Sequence, residues 1–319
     1  MHTLNNKNFA GEAGLKHMLA GGRIRLLEMV AKNTGVAILI IMLGWEAPAQ
    51  SLALHYKIYN TAERTVQDLS AIVDRLKQGD VLFFGEEHND SVAHYLQDTL
   101  YTLLVQKYDR VALSLEMFER DNQIVLDEYL GGLITEQQLV KEGRAWKNYK
   151  DYKKPVNTAR KYKQAVIAAN APRRYVNSVS RNGLASLKSF PASSQKFFAP
   201  LPIDTLNERY AQKFRQVMAG HGSSNSYYAQ ALWDATMAYS IYEYWKGHKK
   251  IKIFHLNGRF HSDEKLGTVS QLQRKNKKLK ILNISCFPAN DFKSPDWDKY
   301  ASLGDFIIVT DPAIPRSYQ

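Results

Sequence analysis

The sequence predicts an α/β protein with a mostly parallel central sheet flanked by helices, and with a helical, lid-like insertion in the middle of the chain. From residue 50 onward, apolar residues at helical spacing alternate with short apolar runs typical of buried strands. Two of these runs, at 81–84 and 251–256, lead into Gly-x-x-His, and the stretch from about 120 to 222 is polar and loop-rich. Such alternation of strands and helices builds parallel sheets with right-handed crossovers.

The first elements follow the order of these patterns. Helices are predicted over 61–77 and 92–108, and the polar residues at 89–91 offer N-cap side chains to the second helix. Strands are predicted at 81–84 and 111–115. Together the two strands and the helix between them form a β-α-β unit, which is the building block of a parallel sheet.

The residues from about 120 to 222 are predicted to pack over one edge of the sheet as an insertion and not as an independent domain. Long irregular segments in compact proteins are often functional lids. The predicted helices of the insertion are 121–130, 136–143 and 157–170, with a return to the sheet at 171–176. The later predicted elements are helices at 226–245 and 263–275 and strands at 251–256, 281–287 and 306–310.

Residues 1–49 have the features of a signal-peptide region. The apolar run at 36–45 is too short to span a membrane, which takes about 20 residues. Lys32 precedes the run, and residues 47–49 (Ala-Pro-Ala) follow it as a small-x-small cleavage site. The alternative is a short buried helix in a cytosolic protein.

Met29 would begin a signal peptide of ordinary proportions, so it is the predicted start of translation. Residues 50–319 would then be the mature α/β domain. We expect this domain to be exported, and to be periplasmic or associated with the outer membrane. No cysteine lies at the cleavage site, so there is no lipobox for a lipid anchor.

The formal net charge is +12. A basic surface attracts anions such as nucleic acid, acidic lipid or carboxylate-bearing ligands. No nucleic-acid-binding motif accompanies the charge, and the lysines are scattered along the chain. The expected partner is therefore an anionic small molecule and not a nucleic acid.

Charged side chains follow three of the predicted strands. Glu87 and His88 follow the first, Glu116 ends the second, and Arg259 and His261 follow the fourth. Because the carboxyl ends of parallel strands form the ligand crevice, these side chains are expected to converge there. Such a set suits a metal ion, a haem or acid–base chemistry.

Each of these residues has a structural alternative. Glu87, His88 and His261 are candidate metal ligands, since imidazole and carboxylate bind zinc and iron, but His88 could instead brace the following helix. Glu116 could be a ligand, a general base or an ion-pair partner of Arg259. Arg259 could also bind a haem propionate or a substrate carboxylate.

Three further residues are candidates. His221 lies between two glycines and is either a mobile ligand or an idle loop residue. Tyr227 opens a predicted helix, and tyrosinate is an axial ligand of ferric haem. Asp234 stands in an apolar stretch, where it could reach the cleft or pair with a lysine.

Five motifs in order resemble those of the ChaN-like haem-binding uptake proteins: residues 82–90, 115–120, 169–173, 230–238 and 257–261. That family is grouped with the Tiki metalloproteases and the erythromycin esterases, which share the two Gly-x-x-His motifs. The resemblance implies an α/β core with a helical addition, haem or iron handling at the bacterial envelope, and haem held between two protomers of a homodimer.

The resemblance also implies that Glu87, His88, Glu116, Arg259 and His261 share one cleft. Two functions follow from it. The first is an exported haem carrier, with iron held by tyrosine or histidine, that serves an outer-membrane haem or iron transport system. The second is a protease- or esterase-type hydrolase that depends on a divalent metal ion such as Zn or Mn. A third alternative is an envelope protein whose site is only structural.

Overall fold

One eight-stranded sheet forms the centre of residues 52–218 and 225–318, the part of the chain that the computed structural model describes. The strands are β1 (Tyr56–Asn60), β2 (Thr65–Gln67), β3 (Val81–Glu86), β4 (Val111–Glu119), β5 (Val166–Asn170), β6 (Lys252–Gly258), β7 (Ile281–Pro288) and β8 (Phe306–Thr310). Their order across the sheet is β2-β1-β8-β7-β3-β6-β4-β5. The strands from β8 to β5 are parallel, whereas β1 pairs antiparallel with β2 and β8. The predicted fold class is confirmed.

Helices cover both faces of the sheet. They are α1 (Leu69–Arg75), α2 (Ser91–Lys107), α3 (Gln123–Leu130), α4 (Glu136–Glu142), α5 (Tyr149–Lys161), α6 (Arg173–Asn182), α7 (Ala192–Gln195), α8 (Glu208–Met218), α9 (Ser226–Gly247), α10 (Gly267–Lys275) and α11 (Trp297–Tyr300). Short 3-10 segments occur at Leu76–Gln78, Arg120–Asn122, Leu184–Ser189, Arg259–His261, Asp263–Lys265 and Ala301–Leu303. Within the described ranges, none of these helices is both long and apolar enough to cross a membrane. The predicted signal-peptide region, 1–49, lies outside the described residues.

The two faces of the sheet bury different sets of strand residues. Side chains alternate along a strand, so Leu82 and Phe84 of β3 pack on one face while Val81 and Phe83 pack on the other. The first face is covered by α2 and α5, and the second by α9 and α10. Burial of each large apolar side chain stabilises the fold by about 1.5–3 kcal/mol. Because both faces are covered, the strands are continuous apolar runs, which explains why they were recognisable in the sequence.

The middle segment contains a strand as well as helices. A helix was expected at 157–170 and a strand at 171–176, but α5 ends at Lys161, β5 spans Val166–Asn170 and α6 begins at Arg173. The apolar residues of β5 are buried against β4, so tertiary pairing outweighs the weak helical pattern. Pro172 occupies the N-cap position of α6, where its fixed φ directs the chain into the helix.

The first element after the signal-peptide region also differs from the prediction. A helix was expected over 61–77, whereas β2 pairs with β1 and the helix α1 begins only at Leu69. The Asp68 side chain accepts a hydrogen bond from the Ser70 amide and so caps α1. Val66, which fitted the helical spacing, is instead an exposed residue of β2. The strand β1 was not predicted.

Candidate functional site

Polar and charged side chains meet where β3, β4 and β6 end. The Gly-x-x-His loops after β3 and β6 lie side by side because these two strands are neighbours in the sheet. Gly85 allows this close approach, since a Cβ at that position would lie 2.6 Å from Ser262 Oγ and 2.9 Å from Arg259 Cα. The carboxyl edge of the sheet therefore brings both histidines of the motifs to one place.

Glu116 lies between the two histidines. Its Oε2 accepts a hydrogen bond of 2.7 Å from the Gly258 amide, and its Oε1 lies 3.5 Å from His261 Nε2 and 4.0 Å from His88 Nε2. Burial alone would raise the pKa of Glu116, but the charges of His261 and His88 and the Gly258 amide lower the pKa to about 2. The buried carboxylate is therefore ionised at neutral pH.

His261 is held by a second carboxylate. Its Nδ1 donates to Asp234 Oδ1 at 2.7 Å, and the Gln230 amide nitrogen lies 3.1 Å from the same ring atom. Asp234 is completely buried and also accepts hydrogen bonds from Tyr210 Oη and Thr268 Oγ1. Burial lowers the pKa of His261, but the adjacent Glu116 and Asp234 outweigh it and raise the pKa to about 10.

His88 is held in the same way from the other face of the sheet. Its Nδ1 lies 2.9 Å from Glu86 Oε1, and Tyr152 Oη donates to the same oxygen at 2.6 Å. The Trp146 ring packs edge-on against the imidazole with ring centroids 5.1 Å apart. Burial lowers the pKa of His88, but the Glu86 hydrogen bond and the charge of Glu116 raise it above its usual value. The side chain is 32% exposed, so it is the accessible histidine of the pair.

A further histidine lies behind Glu86. His94 of α2 has Nδ1 3.3 Å from Glu86 Oε2 and Nε2 3.8 Å from Asp151 Oδ2. Burial lowers the pKa of His94, but the Glu86 and Asp151 carboxylates raise it to about 9. In return, the hydrogen bonds and charges of His88 and His94 outweigh burial and lower the pKa of Glu86 to about 2.

Arg259 is engaged by its own loop. Its Nη2 lies 2.6 Å from Asp263 Oδ2 and its Nη1 lies 3.3 Å from Glu87 Oε1, while its guanidinium stacks over the Phe287 ring at 4.3 Å. Glu87 therefore faces Arg259, and Glu116 is the carboxylate that lies between His88 and His261. In the described ranges, no group of three or more His, Cys, Asp or Glu side chains is arranged to hold a metal ion.

Of the remaining candidates, Tyr227 has hydrogen-bond partners of its own. Tyr227 Oη donates to the carbonyls of Thr205 and Asn207 at 3.3 and 3.4 Å, and its ring packs beside Tyr210. Burial and the nearby Asp234 raise the pKa of Tyr227 to about 12, so its neutral form is favoured. His221 lies outside the described residues.

The sequence indicated some of these partners and missed others. Asp234 was recognisable as a carboxylate within an apolar stretch, and it contacts His261. Glu86 was not among the predicted site residues, although strand alternation places it with Leu82 and Phe84 on the face covered by α2 and α5. Tyr152 and His94 had no sequence signal, because their positions depend on how α5 and α2 pack on the sheet.

A family model described as haem-binding uptake, Tiki superfamily, ChaN, matches residues 72–272. The chain belongs to this family. The match confirms the resemblance that the five sequence motifs indicated. It spans β3 to α10 and therefore includes every strand end that contributes to the site.

Solved structures resemble this chain in fold. ChaN of Campylobacter jejuni, described with cofacial haem binding, has a TM-score of 0.61 and 19% identity, covering 81% of this chain and 97% of its own. A mutant of the erythromycin esterase EreC in its open conformation has a TM-score of 0.44 and 14% identity, covering 82% and 84%. At 19% identity, the similarity to ChaN of Campylobacter jejuni establishes the fold of this chain and nothing more. No curated protein matches the chain.

Proposed function

We propose that this protein binds haem and takes part in haem or iron uptake at the bacterial envelope. Membership of the haem-binding uptake family over residues 72–272 carries the proposal. The net charge of +12 agrees with it, because a basic protein attracts a ligand that bears carboxylates.

His88 has the surroundings of a metal-binding histidine. Its Nδ1 faces Glu86, so Nε2 is the nitrogen left for a ligand. A Cβ on Gly258 would lie 2.6 Å from this Nε2, so the glycine keeps space beside it. Metal-binding histidines usually donate their second N–H to a carboxylate or carbonyl. His88 would therefore hold the haem iron, and bound haem would supply a redox-active centre.

Haem titration tests the proposal. Ferric haem added to the purified protein is expected to give a saturable Soret shift, and His88→Ala is expected to lose it. His55→Ala is the matched control, because His55 is 31% exposed and its Nδ1 also pairs with a carboxylate, Asp311, which is not one of the acids around His88 and His261. The absence of a shift at micromolar protein would refute haem binding. A Soret shift that persists in His88→Ala would instead indicate that a tyrosine such as Tyr227 is the iron ligand.

The export and assembly of the protein belong to the same proposal. Residues 1–49 would direct the chain across the inner membrane, with translation from Met29, and residues 50–319 would act at the periplasm or outer membrane beside a haem or iron transport system. The measured mass of the periplasmic product is expected to be that of a chain that begins at Gln50. Size-exclusion chromatography during the haem titration is expected to show a haem-dependent homodimer. A protein that remains monomeric with haem would refute the proposed dimer.

A metal-dependent hydrolase is the second candidate, and the position of Glu116 favours it. One carboxylate oxygen faces two imidazoles, and each imidazole is anchored by another acid, as acid–base chemistry requires. His88 and His261 would hold a divalent ion such as Zn or Mn, and zinc would supply a bound water with a pKa lowered to about 7. Metal analysis of the titrated sample separates the two candidates, since stoichiometric metal without a Soret shift would favour the hydrolase.

A further inference from the structure

A basic groove lies beside the His88 loop. It runs between the segment that leads into α5 and the first turn of α6, and its volume is about 690 Å³. Trp146 lines the groove together with four cationic side chains, Arg144, Lys147, Arg173 and Arg174. The groove is thus wide enough for a ligand of substantial size and carries positive charge on both of its sides.

Two of the four cations already have acidic partners. Arg144 forms ion pairs with Glu119 and Asp121, and Arg174 pairs with the other oxygen of Asp121. The Asp121 and Tyr175 contacts outweigh burial and raise the pKa of Arg174. These pairs fix the two guanidinium groups in the groove wall.

The other two cations are unpaired. Lys147 and Arg173 are exposed, and neither has an ion-pair partner among residues 52–218 and 225–318. The four cationic side chains and the two carboxylates of Glu119 and Asp121 together give the groove a net charge of +2. A ligand with two carboxylates would neutralise this charge.

The groove is continuous with the site on the sheet edge. Trp146 lines the groove and also packs against the His88 imidazole. Asn148, another lining residue, donates from Nδ2 to the His88 carbonyl at 3.4 Å. An aromatic side chain thus stands between the accessible histidine and the unpaired cations, where it can contact a flat apolar ring.

We propose that this groove binds the two carboxylates of a dicarboxylate tetrapyrrole through Lys147 and Arg173, with the ring edge against Trp146. The inference rests on the proposed haem binding, because it takes the same ligand class. It does not depend on iron, since the groove recognises the carboxylates and the ring. Exposed charged pairs contribute little singly, but here two unpaired cations and one aromatic side chain act on one ligand.

Metal-free protoporphyrin IX is the probe that tests the groove, with binding followed by porphyrin fluorescence. The full chain with Lys147→Glu and Arg173→Glu is expected to bind it at least tenfold more weakly than the wild type. Lys249→Glu with Lys250→Glu is the matched control, because these exposed lysines precede β6 at the opposite end of the sheet. Both double variants change exposed residues, and circular dichroism would verify their folding.

The uncharged dimethyl ester of the same porphyrin gives the second comparison. It is expected to bind the wild type and the groove variant equally, because it lacks the carboxylates. Equal affinity of protoporphyrin for the wild type and the groove variant, or equal affinity of the ester and the diacid for the wild type, would overturn the proposal, as would the absence of any porphyrin binding.

The two proposals fail in different ways. If porphyrin binds in a carboxylate-dependent manner but ferric haem gives no Soret shift, the groove stands and iron binding fails. If the Soret shift occurs but the groove variant binds porphyrin normally, haem binding stands and the groove assignment fails. His88→Ala should abolish only the iron-dependent signal.

Discussion

At the scale of single residues, Gly258 sets the position of His88. The backbone of Gly258 has φ −59° and ψ 131°, a conformation that any residue adopts, so the requirement for glycine is one of space. A Cβ would lie 2.6 Å from His88 Nε2 and 2.9 Å from Cε1. The imidazole cannot retreat freely, because Glu86 and Tyr152 hold its other nitrogen.

Gly258→Ala is therefore expected to displace the His88 ring and to lower the free energy of unfolding by about 1–3 kcal/mol, as overpacking of a tight site does. Urea denaturation and the imidazole NMR signals would measure both effects. Gly247→Ala is the control, since no heavy atom outside its chain neighbours and its own helix backbone lies within 4 Å of the added Cβ, and it should be neutral or stabilising by up to about 1 kcal/mol. An unshifted His88 signal in Gly258→Ala would contradict this account.

The sequence reveals residues whose positions depend on a single strand end, and it hides those that depend on packing between distant elements. His88 and His261 follow buried strands and Glu116 lies near the carboxyl end of β4, so their convergence could be predicted. Tyr152 reaches Glu86 only because α5 crosses the sheet at that point, across a separation of 66 residues. Periodicity within a helix shows which side chains are buried but not which neighbour they meet.

At the scale of elements, the edge strand β5 is covered by one side chain. Gln123, the first residue of α3, donates from Nε2 to the Val166 carbonyl and accepts at Oε1 from the Ala168 amide, both at 2.8 Å. The amide group thus replaces the neighbouring strand that β5 lacks. Open edge strands pair with other chains, so this contact protects the sheet from edge-to-edge association.

Gln123→Ala is expected to uncover the two backbone groups and to destabilise the protein by about 1–3 kcal/mol, the cost of leaving buried polar groups unsatisfied. It should also increase light scattering during thermal unfolding. Gln123→Glu keeps the acceptor for Ala168 but loses the donor to Val166, so an intermediate effect is expected. If Gln123→Ala melted at the wild-type temperature without added scattering, the edge would be protected by other means.

At the scale of the whole molecule, His88 joins two charged networks on opposite faces of the sheet. Its Nδ1 contacts Glu86 on the face covered by α2 and α5, and its Nε2 lies 4.0 Å from Glu116, on the face covered by α9 and α10. Strand alternation produces this division, because side chains two residues apart lie on the same face of a strand. Glu86 therefore shares the face of Phe84 on β3, and Glu116 shares the face of Ser114 on β4. A change at His88 therefore affects buried charges on both faces.

These networks determine how stability depends on pH. The pKa values of His94 and His261 are raised to about 9 and 10, so their contribution is complete below pH 6.5 and is lost as the pH rises through those values. Glu86 and Glu116, with pKa values lowered to about 2, lose their contribution as the pH falls below 4.5. Burial lowers the pKa of His255 to about 3, so its contribution also falls as the pH drops below 6.5.

The free energy of unfolding is therefore expected to be greatest near pH 6.5 and to fall on both sides, by at most about 1.4 kcal/mol per pH unit for each group. His94→Gln is the variant that isolates the alkaline side. It removes the group that faces Glu86, Asp151 and Gln97, and it leaves Glu116 and His261 in place. Urea denaturation at half-unit steps from pH 4 to 9.5 should show a shallower alkaline slope in the variant and an unchanged position of the acid limb set by His255 and Glu116. A wild-type maximum above pH 8 would show that the buried histidines are not charged in the folded protein, and an alkaline slope in His94→Gln as steep as that of the wild type would show this for His94.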